Sequence, residues 1–198
     1  MTRAFFMALL VGAPLVLGAK IAWMRRTLGR SPVVLGRLGR SPLADRWERV
    51  SPFGLLFWPA VWGWIAFGDA PLSGEPVRAV GMGVLSTGVA LTAASVVLMG
   101  RAWRIGIDPE NTTDLAQKGP YRWMRHPIYS GFLLIIVGQV LVVPVATVVV
   151  AAALTAAGIV VQALREEQHL QAVFGERWGR YAARTGRFAP RVWRAPRC

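Results

Sequence analysis

The feature that most constrains the fold is a stretch of 31 residues without a charged side chain, from Gly131 to Val161. As a single helix it would be ~46 Å long, well beyond the ~30 Å hydrocarbon core of a bilayer. Pro144 lies near its middle, and proline interrupts a helix. We therefore predict a proline-centred hairpin of two membrane helices, Ile128 to Val143 and about Val145 to Leu164.

Three further apolar segments precede this hairpin, and together with it they predict about five transmembrane helices. They run from about Ala4 to Met24, from Phe53 to Phe67 and from Ala79 to Gly100. Charged residues make up only 17% of the chain, whereas a soluble domain carries about a quarter. The sequence thus predicts an all-α integral membrane helical bundle.

Basic residues are concentrated in three stretches, which predicts the topology of the chain. Residues 25–52, 101–127 and 165–198 hold 20 of the 23 lysines and arginines. The positive-inside rule places these stretches in the cytoplasm, so we expect the N-terminus outside and the C-terminus inside. The content of Arg, Ala, Val and Gly is typical of a GC-rich bacterial source, so we expect the bacterial cytoplasmic membrane.

The formal net charge of +13 is explained by this topology and needs no nucleic acid. No basic face with interleaved aromatic residues stands apart from the membrane segments, so we predict no nucleic-acid partner. The expected partner is the lipid bilayer. The sequence does not indicate an oligomeric state.

The tail from Arg165 onward predicts a cytosolic amphipathic helix. Leu170, Val173, Phe174 and Trp178 recur at spacings of three and four residues, which places them on one helical face. A helix lying in the membrane interface would account for this pattern by itself. Residues 186–190, a Gly-to-Pro segment, are predicted to end the helix.

A rigid and polar stretch, residues 119–131, stands at the mouth of the hairpin. Its aromatic rings can stack on an adenine, and its prolines leave backbone groups free to bind a ligand. The hairpin returns Glu166 to the membrane face that carries His126 and Tyr129, so these side chains can share one site. Such a site suits a nucleoside-type cofactor with a positive centre, although His and Tyr near an interface are also common membrane anchors.

Other cofactor chemistries fit the residues less well. Glu166 and His169 have the spacing of a carboxylate-bridged metal motif, but a second copy is missing and the chain has two histidines. The single cysteine, Cys198, excludes a thiolate site. We predict no metal. No Gly-x-Gly-x-x-Gly motif follows a strand, so a nucleotide cofactor would bind without a Rossmann fold.

Two motifs flank the predicted hairpin. They are GPYRxxRHPxYxG at residues 119–131 and EExxLxxxFGxxWxxY at residues 166–181. In order and spacing, the C-terminal half from about Ile107 to Pro190 resembles the isoprenylcysteine carboxyl methyltransferase family. The resemblance implies an S-adenosyl-L-methionine-dependent membrane methyltransferase that takes a lipophilic substrate from the bilayer. It also implies a division into N-terminal membrane helices, 1–100, and a cofactor-binding catalytic half, 101–198.

The resemblance also implies roles for individual residues. Candidate cofactor-binding residues are Thr113, Asp114, Leu115, Ala116, Tyr121, His126, Pro127, Ile128, Tyr129 and Glu166. From their acid–base chemistry and their place in the two motifs, the candidate catalytic residues are His126, Glu167 and Arg125.

The methyl acceptor is left open among several classes. Gln162 stands where the prenylcysteine-methylating member has an arginine for the substrate carboxylate, and the nearest arginine is Arg165. Both are candidate substrate-binding residues. We expect a lipophilic carboxylate, thiol or amine, or a prenylated substrate. A carboxylate or thiolate needs no strong base, whereas an amine or hydroxyl would need His126 or Glu167 as its base.

Two other functions fit parts of the same pattern. Membrane enzymes that resemble NAD(P)H-dependent sterol reductases also carry an Arg-His-Pro-x-Tyr-like motif, but the phosphates of NADPH favour more basic residues than the Glu166–Glu167 pair offers. The other alternative is a non-catalytic scaffold or lipid-binding protein. The presence of His126 and of the Glu166–Glu167 pair argues against a non-catalytic protein.

Overall fold

The structure is a computed structural model that describes residues 1–29, 33, 57–100, 103 and 115–191. Regular secondary structure in these residues is helical. The helices are α1 (Thr2–Leu28), α2 (Phe57–Phe67), α3 (Glu75–Met99), α4 (Pro127–Val142), α5 (Ala146–Phe174) and α6 (Glu176–Arg184), with a short 3-10 helix at Gly119–Arg122. Because α1, α3 and α5 are long and apolar enough to cross a membrane, and α2 and α4 are shorter apolar helices, the predicted all-α membrane fold is confirmed.

The chain divides into two compact units. The first contains α1 and α2, and the second contains α3 to α6 with the 3-10 helix. In the first unit α2 packs on α1. The buried residues of α2 include Trp58, Val61, Trp62 and Ile65, whose spacing defines one helical face.

In the second unit, α3 and α4 pack so closely that glycine is required where their backbones meet. A Cβ atom on Gly138 would lie 2.5 Å from the carbonyl oxygen of Gly81, and one on Gly131 would lie 2.7 Å from that of Gly88. Small residues commonly permit such close approach between membrane helices. The contact attaches α4, and the motif loop that leads into it, to a long apolar helix.

The predicted proline-centred hairpin is present. α4 ends at Val142 and α5 begins at Ala146, with Pro144 between them. The N–H of Val145 donates to the carbonyl oxygen of Val143 at 2.9 Å, which closes the turn. The ends of α4 agree with the predicted segment to within one residue.

The predicted fifth segment is too short by ten residues, because α5 continues to Phe174. Nothing between Leu164 and Phe174 breaks a helix, and the interruption falls at Gly175, whose φ of +51° favours glycine. The amphipathic tail therefore consists of the end of α5 and a separate helix, α6. With 29 residues α5 is ~43 Å long, so its charged end at Glu166 extends beyond a ~30 Å hydrocarbon layer.

Candidate active site

The loop before α4 is held by the segment that follows α6. The N–H of Gly186 donates to the carbonyl oxygen of Trp123 at 3.1 Å. In return, the N–H groups of Arg125 and His126 donate to the carbonyl oxygens of Gly186 and Arg187, at 2.8 and 3.0 Å. This short parallel pairing fixes the backbone at His126, which immediately precedes α4.

Two side chains attach α6 to the same loop. Arg125 Nη1 donates to the carbonyl oxygens of Ala182 and Thr185, at 2.9 and 2.7 Å, and so caps the end of the helix. The hydroxyl of Tyr181 donates to the carbonyl oxygen of Tyr121 at 2.8 Å. Burial raises the pKa of Tyr181 to about 12, so its hydroxyl keeps the proton that it donates.

Glu167, on α5, accepts bonds from three cationic or ionisable side chains. Arg125 Nε lies 2.9 Å from Oε1, and His126 Nε2 lies 3.2 Å from the same oxygen. Arg187 contacts both carboxylate oxygens, with Nε 3.0 Å from Oε1 and Nη2 2.8 Å from Oε2. Because these bonds occupy the carboxylate and its side chain is only 15% exposed, Glu167 is well suited to orient His126 and poorly suited to accept a proton.

Glu166 has a different environment. Its Oε1 accepts a hydrogen bond from the Tyr129 hydroxyl and lies 3.5 Å from Gln162 Nε2. His126 Nδ1 lies 3.6 Å from Oε2, and the His126 and Tyr129 rings stack with their centroids 5.5 Å apart. The Glu166 side chain is 27% exposed, so its carboxylate can accept further bonds from a ligand.

The two carboxylates define the hydrogen-bonding state of the buried His126. Both ring nitrogens face a carboxylate, and Glu167 Oε1 is the nearer, at 3.2 Å against 3.6 Å for Glu166 Oε2. We therefore assign the hydrogen of the neutral ring to Nε2 and the lone pair to Nδ1. Burial lowers the pKa of His126, but the hydrogen bonds and negative charges of Glu166 and Glu167 outweigh this, and the pKa is raised. His126 is thus an ionisable ring held in a fixed orientation.

We expect the thermal stability of the detergent-solubilised protein to decrease with pH through His126. Its folded pKa is raised above the unfolded value of about 6.5, so the charged ring stabilises the fold fully below that pH. The contribution is lost as the pH rises through the folded pKa. Melting temperatures measured from pH 6 to 9 should fall in the wild type and change less in His126→Gln. Equal slopes in the two proteins would contradict the assignment.

The structure brings most of the predicted site residues together. Arg125, His126, Tyr129, Gln162, Glu166 and Glu167 form the connected cluster described above. Pro127 is buried and Ile128 half-buried in the first turn of α4. The half-buried Arg165 adjoins Glu166 on α5. Their roles as catalytic, cofactor or substrate contacts stay predictions.

The remaining predicted positions lie nearer the start of the loop. Tyr121 is buried, with its hydroxyl 3.7 Å from Met99 Sδ, and burial together with the charge of Glu166 raises its pKa. Leu115 and Ala116 are half-buried in the irregular segment before the 3-10 helix. Thr113 and Asp114 lie outside the described residues.

Sequence reasoning missed Arg187, which we interpreted only as part of a helix-terminating segment. It contacts Glu167 from twenty positions away, across the break at Gly175 and the whole of α6. The sequence offers one signal for Arg187. It is a positive charge that follows the last helix, and that helix comes after the two adjacent carboxylates. That signal does not distinguish Arg187 from Arg184 or Arg191.

Gln162 carries an unsatisfied atom beside the site. Its amide oxygen is buried and has no hydrogen-bond partner within the described part of the chain, while its Nε2 faces Glu166. An unpaired buried acceptor costs free energy unless a donor reaches it. A ligand with a hydrogen-bond donor would satisfy it.

The apolar helices are those of an integral membrane protein. The polar cluster at the charged end of the helical hairpin is its candidate active site. A family model described as phospholipid methyltransferase matches residues 77–177, slightly more than half of the chain. The chain belongs to the phospholipid methyltransferase family. The matched region contains all but the first two residues of α3, the whole of α4 and α5 and the beginning of α6, and it ends before Arg187.

The fold is also similar to a solved structure of the eukaryotic intramembrane Ras methyltransferase ICMT (isoprenylcysteine carboxyl methyltransferase). The TM-score is 0.54 at 20% sequence identity, and the match covers 79% of this chain and 55% of that chain. The matched part is thus little more than half the length of that protein, and the likeness establishes the fold. No curated protein matches the sequence. The expected likeness to this group of membrane methyltransferases is confirmed.

Proposed function

We propose that this protein transfers a methyl group from S-adenosyl-L-methionine to a lipophilic acceptor that enters from the bilayer. The observation that carries the proposal is the cluster of His126, Tyr129 and Glu166 at the charged end of the helical hairpin. Membership of a methyltransferase family supports methyl transfer as the chemistry. It also favours this reading over an NAD(P)H-dependent reductase.

The residues present fit S-adenosyl-L-methionine. Glu166 keeps part of its carboxylate exposed, which suits ribose hydroxyls or a cationic group of the cofactor. The rings of Tyr121 and Tyr129 lie on the loop and on the first turn of α4, where aromatic groups can line a nucleoside. When bound, the cofactor supplies a methyl group activated by a sulfonium.

His126 is our candidate for the general base. Glu167 fixes the ring with a hydrogen on Nε2, so that Nδ1 can accept the proton of an amine or hydroxyl acceptor. Arg125 and Arg187 neutralise Glu167 and hold it in place. The burial of His126 limits access of water to the proton-accepting group.

An amine is the acceptor class that the site suits best. The Gln162 oxygen, which has no partner among the described residues, is a hydrogen-bond acceptor, and the negatively charged Glu166 lies beside it. A carboxylate acceptor would be repelled by the charge of Glu166 and could not donate to Gln162, whereas an amine can donate to the Gln162 oxygen. The description of the family as phospholipid methyltransferase agrees with a lipid that carries such a group.

Transfer of labelled methyl groups to lipids of matched chain length tests this proposal. The purified protein should label phosphatidylethanolamine, whose headgroup is an amine, and should label fatty acids and long-chain thiols far less. Gln162→Leu keeps the volume and removes the free acceptor, so it should lower labelling of the amine lipid. Labelling of the fatty acid alone would contradict the proposed acceptor class, and the absence of labelling in all three would contradict methyl transfer to these lipids.

A further inference from the structure

The segment after α6 sends one charged side chain back to the centre of the site. Arg187 makes two bonds to Glu167, one to each carboxylate oxygen, at 3.0 and 2.8 Å. Two further side chains contact Glu167 Oε1, and both belong to the loop before α4. They are Arg125 and His126. A single carboxylate thus joins two chain segments to the ring of the proposed base.

Arg187 differs from Arg125 in what else it holds. Arg125 also bonds the carbonyl oxygens of Ala182 and Thr185, so removing its side chain would leave the end of α6 uncapped. The side chain of Arg187 is 38% exposed, whereas that of Arg125 is 13% exposed. Arg187 is therefore the guanidinium at Glu167 that can be replaced with the least disturbance of the packing.

The backbone of Arg187 has a separate function from its side chain. Its carbonyl oxygen accepts the N–H of His126 at 3.0 Å, and the next carbonyl, of Phe188, accepts the hydroxyl of Ser130 at 2.6 Å. These bonds are independent of the guanidinium. A side-chain substitution can therefore remove the charge while the segment stays paired to the loop.

We propose that Arg187 is a positioning residue that controls the proton on His126, acting through Glu167. This inference rests on the proposed function only in giving His126 the part of a base. The charge coupling among the three side chains follows from their contacts alone. Arg187 lies beyond the region matched by the family model, so the coupling is not part of that match.

The groups that face His126 come from four parts of the second unit. Glu166 and Glu167 approach from α5, and Tyr129 stacks on the ring from α4. From the loop and from the segment after α6, Arg125 and Arg187 reach His126 through Glu167, and the Phe188 ring lies 6.0 Å away.

Among these groups, Arg187 should lower the proton affinity of His126. Its positive charge opposes protonation of His126 directly, and it also shares the negative charge of Glu167 that would otherwise act on the imidazole. Without Arg187, His126 should hold its proton to higher pH. A base that stays protonated is inactive, so Arg187 keeps a larger fraction of His126 ready to accept a proton.

Imidazole NMR titration of the full-length protein in detergent tests this coupling without any need for activity. The chain has two histidines, and the signal lost in either His126→Asn or His169→Gln assigns both. We expect Arg187→Gln to raise the measured pKa of His126 by about 1 and Glu167→Gln to lower it by a similar amount. Arg184→Gln is the matched control, because Arg184 bonds only the carbonyl oxygen of Arg180 among the contacts the structure gives it.

Arg187→Lys separates charge from hydrogen-bond geometry. It keeps a positive charge near Glu167, so the measured pKa of His126 should stay closer to the wild-type value than in Arg187→Gln. A His126 titration that is the same in wild type, Arg187→Gln and Arg184→Gln would overturn the proposal. If Arg187→Gln does not fold, Arg187→Lys and Glu167→Gln still decide it, since a His126 titration unchanged in Glu167→Gln would also overturn it.

Kinetics then distinguish failure of this inference from failure of the proposed function. In Arg187→Gln the pH at which kcat reaches half its maximum should move upward together with the NMR titration, while KM for the methyl donor stays near the wild-type value. If the NMR titration shifts but the protein transfers no methyl group, the coupling is supported and the proposed function is refuted. If the protein transfers methyl groups but neither the pH profile nor the titration shifts, the proposed function is supported and the coupling is refuted.

Discussion

His126→Ala should lower kcat for methyl transfer to an amine lipid by about 10²- to 10⁴-fold, the usual contribution of a general base. The ring is buried, its Nε2 faces Glu167 at 3.2 Å, and its Nδ1 is the nitrogen that remains to accept a proton. Because the contact proposed for the acceptor is Gln162 and not His126, KM should change much less than kcat. Radiolabelled methyl transfer at saturating lipid, measured across pH, gives both constants.

His169→Ala is the control for the loss of a histidine, since His169 is the second histidine of the chain and lies further along α5. It should retain most of the activity. Tyr129→Phe removes the hydroxyl that donates to Glu166 and should reduce activity less than His126→Ala does. Wild-type kcat in His126→Ala would refute the assignment of the base.

Gly138→Ala should cause a large loss of stability. The added Cβ would lie 2.5 Å from the carbonyl oxygen of Gly81 and 2.6 Å from the backbone nitrogen of Leu85, and neither backbone atom can move without separating α3 from α4. Overpacking of this kind costs about 1–3 kcal/mol. For a protein of this size that corresponds to a fall in melting temperature of very roughly 2–12 °C, which a thermal unfolding scan in detergent would measure.

Gly83→Ala supplies a matched control on the facing helix. A Cβ atom there would meet nothing within 4 Å, and alanine favours a helix more than glycine does. Its melting temperature should equal or exceed that of the wild type. If Gly138→Ala is as stable as Gly83→Ala, the close contact between α3 and α4 is not what holds these helices together.

Much of the fold could be predicted because the thickness of the bilayer limits the length of a helix that crosses it. An uncharged run of this length must turn back at Pro144, and once it does so Glu166 lies near His126. The same argument could not find the end of α5. Apolar and charged residues are both acceptable in a helix that leaves the membrane, so only the break at Gly175 ends it.

The candidate site was predictable as a cluster but not in its internal contacts. Spacing brings Glu166 and Glu167 to the loop together, yet it does not say which one meets Tyr129 and which one meets the arginines. The structure separates them, since Glu166 bonds Tyr129 and Glu167 bonds Arg125 and Arg187. Such a division depends on the rotation of α5 about its axis, which short sequence motifs do not specify.

Binding of S-adenosylhomocysteine, the demethylated product of the cofactor, tests the central claim most directly. Thermal unfolding of the detergent-purified protein would be measured with S-adenosylhomocysteine, with NADPH and with neither, in the wild type and in Glu166→Ala. At a hundred times its dissociation constant a ligand adds about 2.7 kcal/mol of stability. We predict a shift with S-adenosylhomocysteine alone, greatly reduced in Glu166→Ala, whereas a shift with NADPH alone, or an equal shift in both proteins, would contradict a methyl-donor site at Glu166.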